Sequence, residues 1–174
     1  MQNRCSISEP TSRLMRKALP SDADRIAEIY NYYIENTVIT FEKNLIDGEE
    51  IKQRISNVIY KGFPYIVYEE QGTVIGYAYL DNWRSRAAYN ITLETSIYLD
   101  HLSTNKGFGR TLYAELIRQA QTLDIHSLIG VISLPNLPSQ KLHQELGFRL
   151  VGNFKESGIK FGRLIDVEFW QLML

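Results

Sequence analysis

The segment that most constrains the fold is residues 91–116, ITLETSIYLDHLSTNKGFGRTLYAEL. Its first part is rich in Thr, Ile, Tyr and Leu, which predicts a β-strand, and Glu94 is the only carboxylate within that run. A short loop with glycines at positions 107 and 109 follows the strand. Beyond the loop, apolar residues recur at helical spacing, at Phe108, Leu112, Leu116, Ala120 and Leu123. A strand, a loop and a long helix in direct succession predict a domain that mixes α and β structure.

The junction between the loop and the helix favours phosphate binding. The first backbone N–H groups of a helix have no partner within the helix and lie at the positive end of its dipole. A carboxylate on the preceding strand suggests a nucleotide-like cofactor held beside a base. A short glycine motif at a helix start often serves only the turn, so this interpretation depends on the rest of the chain.

Length and charge limit the class of protein. The chain has 174 residues, of which 44% are apolar, and this suits one domain with a substantial core. Lys and Arg total 19 while Asp and Glu total 20, so there is no basic excess of the kind that nucleic acids or anionic membranes attract. We therefore expect neither nucleic acid nor a membrane as a partner.

Cysteine and histidine usage argues against disulfide and metal chemistry. Cys5 is the only cysteine, and it lies in a polar leader where a catalytic thiol is not expected. His101, His126 and His143 are scattered and form no cluster with zinc-ligand spacing, so we expect no metal site. The first residues, MQNRCSISEPTSR, lack the apolar region of a signal peptide, and we expect a cytoplasmic protein.

The remaining pattern predicts a flexible extension at residues 1–13 and a single domain at 14–174, with elements in the order β, α, α, β, β, β, α, β, α, β, β. Ser21 with Asp24, Asp47 with Glu50, and Ser139 are predicted to cap three of the helices. The predicted strands outside the central segment are 14–19, a hairpin of 64–70 and 73–80 around Gln71-Gly72, a buried strand at 128–134, and closing strands at 148–155 and 164–172. The long helix is expected to end near Asp124.

Several strings, in order along the chain, carry a family resemblance: YNYYI, TFE, GYAYL, WRSRAAY, LETSIYL, KGFGRTL, SLPNLPSQKLHQELGF and GIKFGRLIDVEFWQ. Together they resemble the phosphinothricin and methionine sulfoximine N-acetyltransferase group of the GCN5-related N-acetyltransferase (GNAT) superfamily. The resemblance covers residues 14–174 and implies an α/β fold with a central, mostly antiparallel mixed sheet flanked by helices. It also implies acetyl-coenzyme A (acetyl-CoA) as cosubstrate, no metal, and a homodimer.

The resemblance assigns roles to residues along the donor side of the site. The pyrophosphate of the coenzyme would lie on the loop and first helical turn, at Asn105, Lys106, Gly107, Phe108, Gly109 and Arg110. The pantetheine arm would pair with the strand at Ile97, Tyr98 and Leu99, and backbone N–H groups near Tyr98 would stabilise the oxyanion. Asn136 matches an asparagine that contacts the coenzyme.

The catalytic and acceptor residues follow from the same match. Glu94 lies at the position of the general base, and His143 lies at a site position on the last helix, where many members of the superfamily have a proton-donating tyrosine. The sequence leaves three roles open for His143: protonating the leaving thiolate, acting on the amine, or none. The acceptor side would be lined by Phe41, Arg86 and Tyr89, with Arg86 gripping an anion.

Other charges near the acceptor side are ambiguous. Arg84 lies two residues from Arg86 and would face the opposite way in an extended segment, so one arginine should face the pocket. Lys160 and Arg163 are interpreted equally well as site charges or as surface charges. On the acceptor side the chain departs from the group, since Ile91 and Leu164 replace aromatic residues that are usual there.

The loop also departs from the pattern, since Thr104-Asn105 stands where Arg-Gly is usual, although asparagine tolerates positive φ better than most residues.

The sequence as a whole predicts an acetyl-CoA-dependent N-acetyltransferase acting on the α-amino group of a small amino acid or analogue. Two other functions stay open: acetylation of a peptide or protein N-terminus, and a non-catalytic acyl-CoA-binding module.

Overall fold

The computed structural model describes residues 12–174 and contains one seven-stranded sheet in the order β1-β2-β3-β4-β5-β7-β6. The strands are β1 (Arg13–Lys17), β2 (Tyr65–Glu70), β3 (Thr73–Asn82), β4 (Thr92–Leu99), β5 (Ser127–Ser133), β6 (Arg149–Lys160) and β7 (Arg163–Met173). The helices are α1 (Ala23–Asn36), α2 (Gly48–Tyr60), α3 (Phe108–Ala120) and α4 (Leu137–Glu145). This order of strands and helices confirms the predicted one, and the mixed α/β class is confirmed with it.

The sheet separates two hydrophobic cores because successive side chains of a strand point to opposite faces. One face packs on α1 and α2, where Ile26 and Ile51 are fully buried. The other face packs on α3, whose residues Leu112 and Leu116 are fully buried. The predicted spacing is therefore the buried stripe of α3 at Phe108, Leu112, Leu116 and Ala120, while Leu123 lies beyond the end of the helix.

One of the three predicted helix caps is confirmed. Asp47 precedes α2, and its carboxylate accepts a hydrogen bond of 2.9 Å from the backbone N–H of Glu50. The prediction for Ser21 was wrong, because Ser21 lies in a 3₁₀ turn and α1 begins after Asp22. The Asp22 carboxylate is held elsewhere: it pairs twice with Arg16, at 2.7 and 2.9 Å, and accepts from Leu19 N–H.

The cap of α4 also differs from the prediction. Asn136, not Ser139, precedes the helix, and its side-chain oxygen accepts from the backbone N–H of Ser139 at 3.3 Å. The sequence offers a cap-forming residue at both positions, but Pro138 fits the first turn of a helix because it needs no N–H partner there. The helix therefore starts earlier than predicted.

Strand β6 and helix α3 end at residues other than those predicted. Strand β6 continues to Lys160 instead of ending at residue 155, because Glu156 adopts a left-handed φ of 53° and the pairing with β7 resumes at Gly158 after the irregularity. Helix α3 ends at Ala120, before the predicted end near Asp124.

Arg13 belongs to β1 and pairs with Glu70, while residues 1–11 of the predicted extension, Cys5 included, lie outside the described residues.

The only parallel pairing in the described sheet, β4 with β5, is short. It runs from Thr92 opposite Ser127 to Thr95 opposite Gly130, and then stops. Strand β4 continues to Leu99 with an unbroken antiparallel register to β3. The far ends of β4 and β5 therefore lie in one sheet without pairing to each other, which leaves a gap in the middle of the fold.

Candidate active site

A cleft of about 710 Å³ occupies the gap between the unpaired ends of β4 and β5. The start of α3, the helix α4 and residues 38–41 enclose it. Eleven of the predicted site residues line it: Phe41, Glu94, Ile97, Tyr98, Leu99, Asn105, Gly107, Gly109, Arg110, Asn136 and His143. Four others, Arg86, Tyr89, Lys106 and Phe108, are not part of its lining.

The loop before α3 exposes the helix N-terminus to the cleft. Gly107 precedes the helix with a φ of 82°, and no side chain caps the first turn. Asn105 adopts a φ of 60°, a left-handed conformation that asparagine tolerates better than most residues. The usual glycine is therefore not required for this backbone path. The free N–H groups of the first turn suit an anionic group such as a phosphate.

Two residues of the predicted phosphate loop point away from the cleft. The Phe108 side chain is buried in the α3 core, with its ring 5.3 Å from the ring of Tyr68. Lys106 donates from Nζ to the backbone carbonyl of Leu102 at 3.1 Å. At position 108 only the backbone is available to a ligand, and the Lys106 ammonium is turned back onto its own loop.

The exposed edge of β4 is the second element of the site. Beyond Thr95, this edge has no strand partner among residues 12–174. The side chain of Tyr98 is directed to the α1 face, where its ring lies 4.9 Å from that of Tyr30. The backbone of Ile97, Tyr98 and Leu99 is therefore left to line the cleft, as a strand edge that an extended ligand can pair with.

Glu94 is a half-buried carboxylate in the cleft wall. Burial raises its pKa above the usual value for a glutamate. Asp81, directly opposite on β3, adds to this rise through like-charge repulsion, and Arg84 partly offsets it. A carboxylate whose pKa is raised toward neutrality is better matched to accept a proton at working pH.

His143 lines the cleft but is 4% exposed. Its Nδ1–H donates to the carbonyl of Ser139 at 2.8 Å, since a carbonyl can only accept, and Nε2 lies 3.0 Å from the Tyr113 hydroxyl. Burial lowers the pKa of the imidazole to about 4, although the Ser139 carbonyl opposes this. The ring is therefore neutral at neutral pH, with Nε2 accepting from Tyr113.

The acceptor-side residues do not form one pocket in the single chain. The Phe41 ring packs on Gly158, where a Cβ atom would collide with it. Arg86 and Tyr89 lie on the exposed connector between β3 and β4, outside the cleft. Arg84, in the same connector, stacks its guanidinium over Trp83 at 4.8 Å and acts electrostatically on Glu94.

Ser133, which the sequence did not identify, and Lys160, which it left open as a site charge or a surface charge, hold residues 38–41 over the cleft. The Ser133 hydroxyl lies 2.7 Å from the Val38 carbonyl, to which it donates. The Lys160 ammonium donates to the Thr40 carbonyl at 2.6 Å and is only 2% exposed. Burial lowers the pKa of this ammonium. No sequence signal distinguishes such a lysine from surface charge, because its partners are backbone carbonyls far away in the chain.

The family follows from comparison with known proteins. A model of the acetyltransferase (GNAT) domain matches residues 15–169. The chain belongs to the GNAT acetyltransferase family. It is therefore an acetyltransferase, and its cleft is the candidate active site of a GNAT enzyme.

Individual relatives span nearly the whole GNAT domain. The chain is 34% identical over 160 residues to the L-methionine sulfoximine/L-methionine sulfone acetyltransferase of Salmonella typhimurium, covering 92% of this chain and 94% of the relative. A phosphinothricin acetyltransferase from Sinorhizobium meliloti, solved in complex with acetyl-CoA, is 38% identical with a TM-score of 0.90, covering 93% and 88%. A ribosomal-protein-alanine N-acetyltransferase from Brucella melitensis is 37% identical with a TM-score of 0.90, covering 92% and 99%.

Residues 12–174 contain neither a metal-binding cluster of side chains nor a membrane-spanning helix. No group of three or more His, Cys, Asp or Glu side chains is placed to hold a metal ion within that range. No helix in the same range is both long and apolar enough to cross a membrane.

We predict that Lys160→Met loosens the segment over the cleft. The change removes the ammonium donor from the Thr40 carbonyl, and the Tyr33 carbonyl keeps only its bond from the Thr37 hydroxyl among side chains, which should lower the free energy of unfolding by about 1–3 kcal/mol. Hydrogen exchange of the amides in 38–41 should accelerate. Lys155→Met is the matched control, because that ammonium is exposed and pairs with Asp166 at the surface. Unchanged exchange and unchanged stability in Lys160→Met would refute this role.

Proposed function

We propose that this protein transfers the acetyl group of acetyl-CoA to the α-amino group of a small amino acid or analogue of the phosphinothricin or methionine sulfoximine type. One observation carries the proposal: a carboxylate of raised pKa, an open strand edge and an uncapped helix N-terminus all line one cleft. Relatives named for these activities support it.

The cleft residues fit the coenzyme chemically. Backbone N–H groups at the start of α3, with Arg110 beside them, would hold its phosphates. The edge of β4 at residues 97–99 would pair with the amides of the pantetheine arm. The Asn136 side chain already caps α4, so it would contact the coenzyme while keeping that hydrogen bond. When bound, acetyl-CoA supplies the acetyl group as an activated thioester.

Glu94 would act as the general base. An ammonium has no lone pair, so the acceptor must lose a proton before it can attack the thioester carbon. The Glu94 carboxylate would take that proton directly or through a water molecule. Backbone N–H groups near Tyr98 would donate to the carbonyl oxygen of the acetyl group as negative charge develops on it. Both groups line the same cleft.

Arg86 is proposed to grip the anionic group of the acceptor, because a guanidinium pairs bidentately with a carboxylate or phosphinate. Phe41 and Tyr89 would flank the acceptor. Since Arg86 and Tyr89 lie outside the cleft of the single chain, their proposed role requires the connector to be brought over the acceptor.

We also propose a homodimer, formed through the edge strand β6. This strand lies at the end of the sheet, and exposed apolar side chains run along it, its turn and the start of β7: Leu150, Val151, Phe154, Ile159, Phe161 and Leu164. A long apolar edge of this kind is typical of an interface. The resemblance to the phosphinothricin acetyltransferase group supports a second copy as the occupant.

A second function deserves a direct test, because one relative is named a ribosomal-protein-alanine N-acetyltransferase. The deciding experiment is a thiol-release assay with acetyl-CoA against methionine sulfoximine, phosphinothricin and a short peptide with an N-terminal alanine. Turnover with the amino-acid analogues alone supports the proposal. Turnover with the peptide alone replaces it with N-terminal acetylation. Acetyl-CoA binding without any turnover would favour a non-catalytic binding module.

Glu94→Gln is expected to lower kcat by about 100-fold or more, because the amide cannot accept the proton. In the wild type, activity should fall as pH drops through the raised pKa of Glu94, since the base works only when deprotonated. The measurement is a pH profile of kcat together with the dissociation constant of acetyl-CoA, which should stay unchanged. Glu70→Gln, a surface carboxylate of β2, is the control. Wild-type turnover in Glu94→Gln would exclude it as the base.

Arg86→Ala and Arg84→Ala should have different effects. Loss of the anion grip in Arg86→Ala should raise the acceptor KM by about tenfold or more, the loss expected for a hydrogen bond to a charged group. Arg84 lowers the pKa of Glu94, so Arg84→Ala should move the acid limb of the pH profile upward. If only Arg84→Ala raises the acceptor KM, Arg84 is the gripping residue instead.

Val151→Glu should shift the protein toward monomer, because it places a charge on the proposed apolar interface. Sedimentation velocity measures the shift. Leu14→Glu is the matched control, since Leu14 is an exposed leucine on β1 at the opposite edge of the sheet. A wild-type protein that sediments as a monomer would rule out the homodimer.

A further inference from the structure

Strand β4 separates from β5 while its pairing with β3 stays regular. Strand β4 pairs with β3 from Asn82 opposite Leu93 to Gly76 opposite Leu99, without a bulge. Its pairing with β5 nevertheless ends at Thr95 opposite Gly130. At this point the Thr95 hydroxyl also lies 3.2 Å from the Ile129 carbonyl of β5, so the divergence begins at Thr95.

A buried chain of hydrogen bonds lies at the point of divergence. The Tyr113 hydroxyl, on α3, is 2.6 Å from the Thr95 hydroxyl on β4 and 3.0 Å from Nε2 of His143 on α4. The opposite side of the imidazole is fixed by the carbonyl of Ser139. The chain therefore links β4, α3 and α4, which border the inner end of the cleft on different sides.

The imidazole also fills space against β5. A Cβ atom at Gly130 would collide with Nε2 of His143, so the ring packs directly on the β5 backbone. Phe148 packs against the ring from another side, at 4.9 Å between centroids. Tyr113 is completely buried. The two aromatic side chains thus fill the inner end of the gap.

We propose that Tyr113 and His143 are positioning residues that fix the separation of β4 and β5 at the inner end of the cleft, and that His143 transfers no proton. This inference rests on the acetyl transfer proposed above. It assigns a function to Tyr113, which the sequence marked only as part of a helix.

The protonation states agree with the geometry. The single N–H of the neutral His143 ring is engaged with its own helix, and the Nε2 lone pair accepts from Tyr113. Burial keeps the imidazole neutral and raises the pKa of the Tyr113 phenol above its usual range. The imidazole therefore has no free proton to donate and no free lone pair to accept one.

The proposal is tested by comparing His143→Gln with His143→Ala. A glutamine oxygen reaches about as far as Nε2 and can accept from Tyr113, but an amide cannot exchange a proton near neutral pH. We expect His143→Gln to keep kcat and the acetyl-CoA KM within about threefold of wild type. His143→Ala and Tyr113→Phe should both raise the acetyl-CoA KM by about tenfold, as for one buried polar group left unpaired.

The same variants also give a distinct result if His143 transfers a proton. If His143 is a proton donor, both His143 variants lose kcat to the same large extent with little change in the acetyl-CoA KM, and the proposal is overturned. Tyr68→Phe is the matched control for loss of a phenol in the same core, and its kinetics should stay at wild-type values.

A readout without turnover separates this inference from the proposed function. In wild-type protein labelled with ¹⁵N-histidine, the His143 ring should show the neutral Nδ1–H form from pH 5.5 to 8. Titration of that ring near pH 6–7 would refute the proposal. Calorimetric binding of acetyl-CoA to the three variants gives the affinity losses directly. If the wild type binds acetyl-CoA but acetylates nothing, the proposed function fails while both readouts still test the positioning role.

Discussion

The structure depends on one short parallel pairing, that of β4 with β5. Parallel strands in a sheet normally share hydrogen bonds along their length, but here the pairing ends after Thr95 and Gly130. The strand edges beyond that point, and the helix N-terminus beside them, are unpaired backbone groups facing a cleft. Because buried backbone groups need partners, a ligand with amides and phosphates fits this arrangement better than an apolar one.

Holding such a gap open requires contacts on all sides of it. At the outer end, Ser133 and Lys160 fix residues 38–41 by bonding backbone carbonyls. At the inner end, Tyr113 and His143 occupy the space beside Thr95. These four side chains come from four different elements, β5, β6, α3 and α4, and one of them, Lys160, is a buried cation. The cleft is therefore maintained by specific side-chain contacts and does not result only from where the strand pairing ends.

Burial acts oppositely on the two titratable groups named for catalysis. It raises the pKa of Glu94 and lowers that of His143, since in both cases it penalises the charged form. For a carboxylate this means a stronger base, one that competes better for an ammonium proton. For the imidazole it means a ring locked in its neutral form. The same physical cause thus favours a proton-transfer role for one residue and a positioning role for the other.

The sequence by itself determined the order of strands and helices, the buried stripe of α3, the Asp47 cap and the glycine loop, because each depends on local spacing and backbone preference. The motifs along the chain also indicated the family and eleven of the residues that line the cleft. Only the tertiary structure decided that Asn136 caps α4, that Lys160 is buried, that Phe108 faces the core, and that His143 is bonded on both nitrogens. Those outcomes depend on partners far apart in the chain, and no local pattern records which distant carbonyl or hydroxyl a side chain will meet.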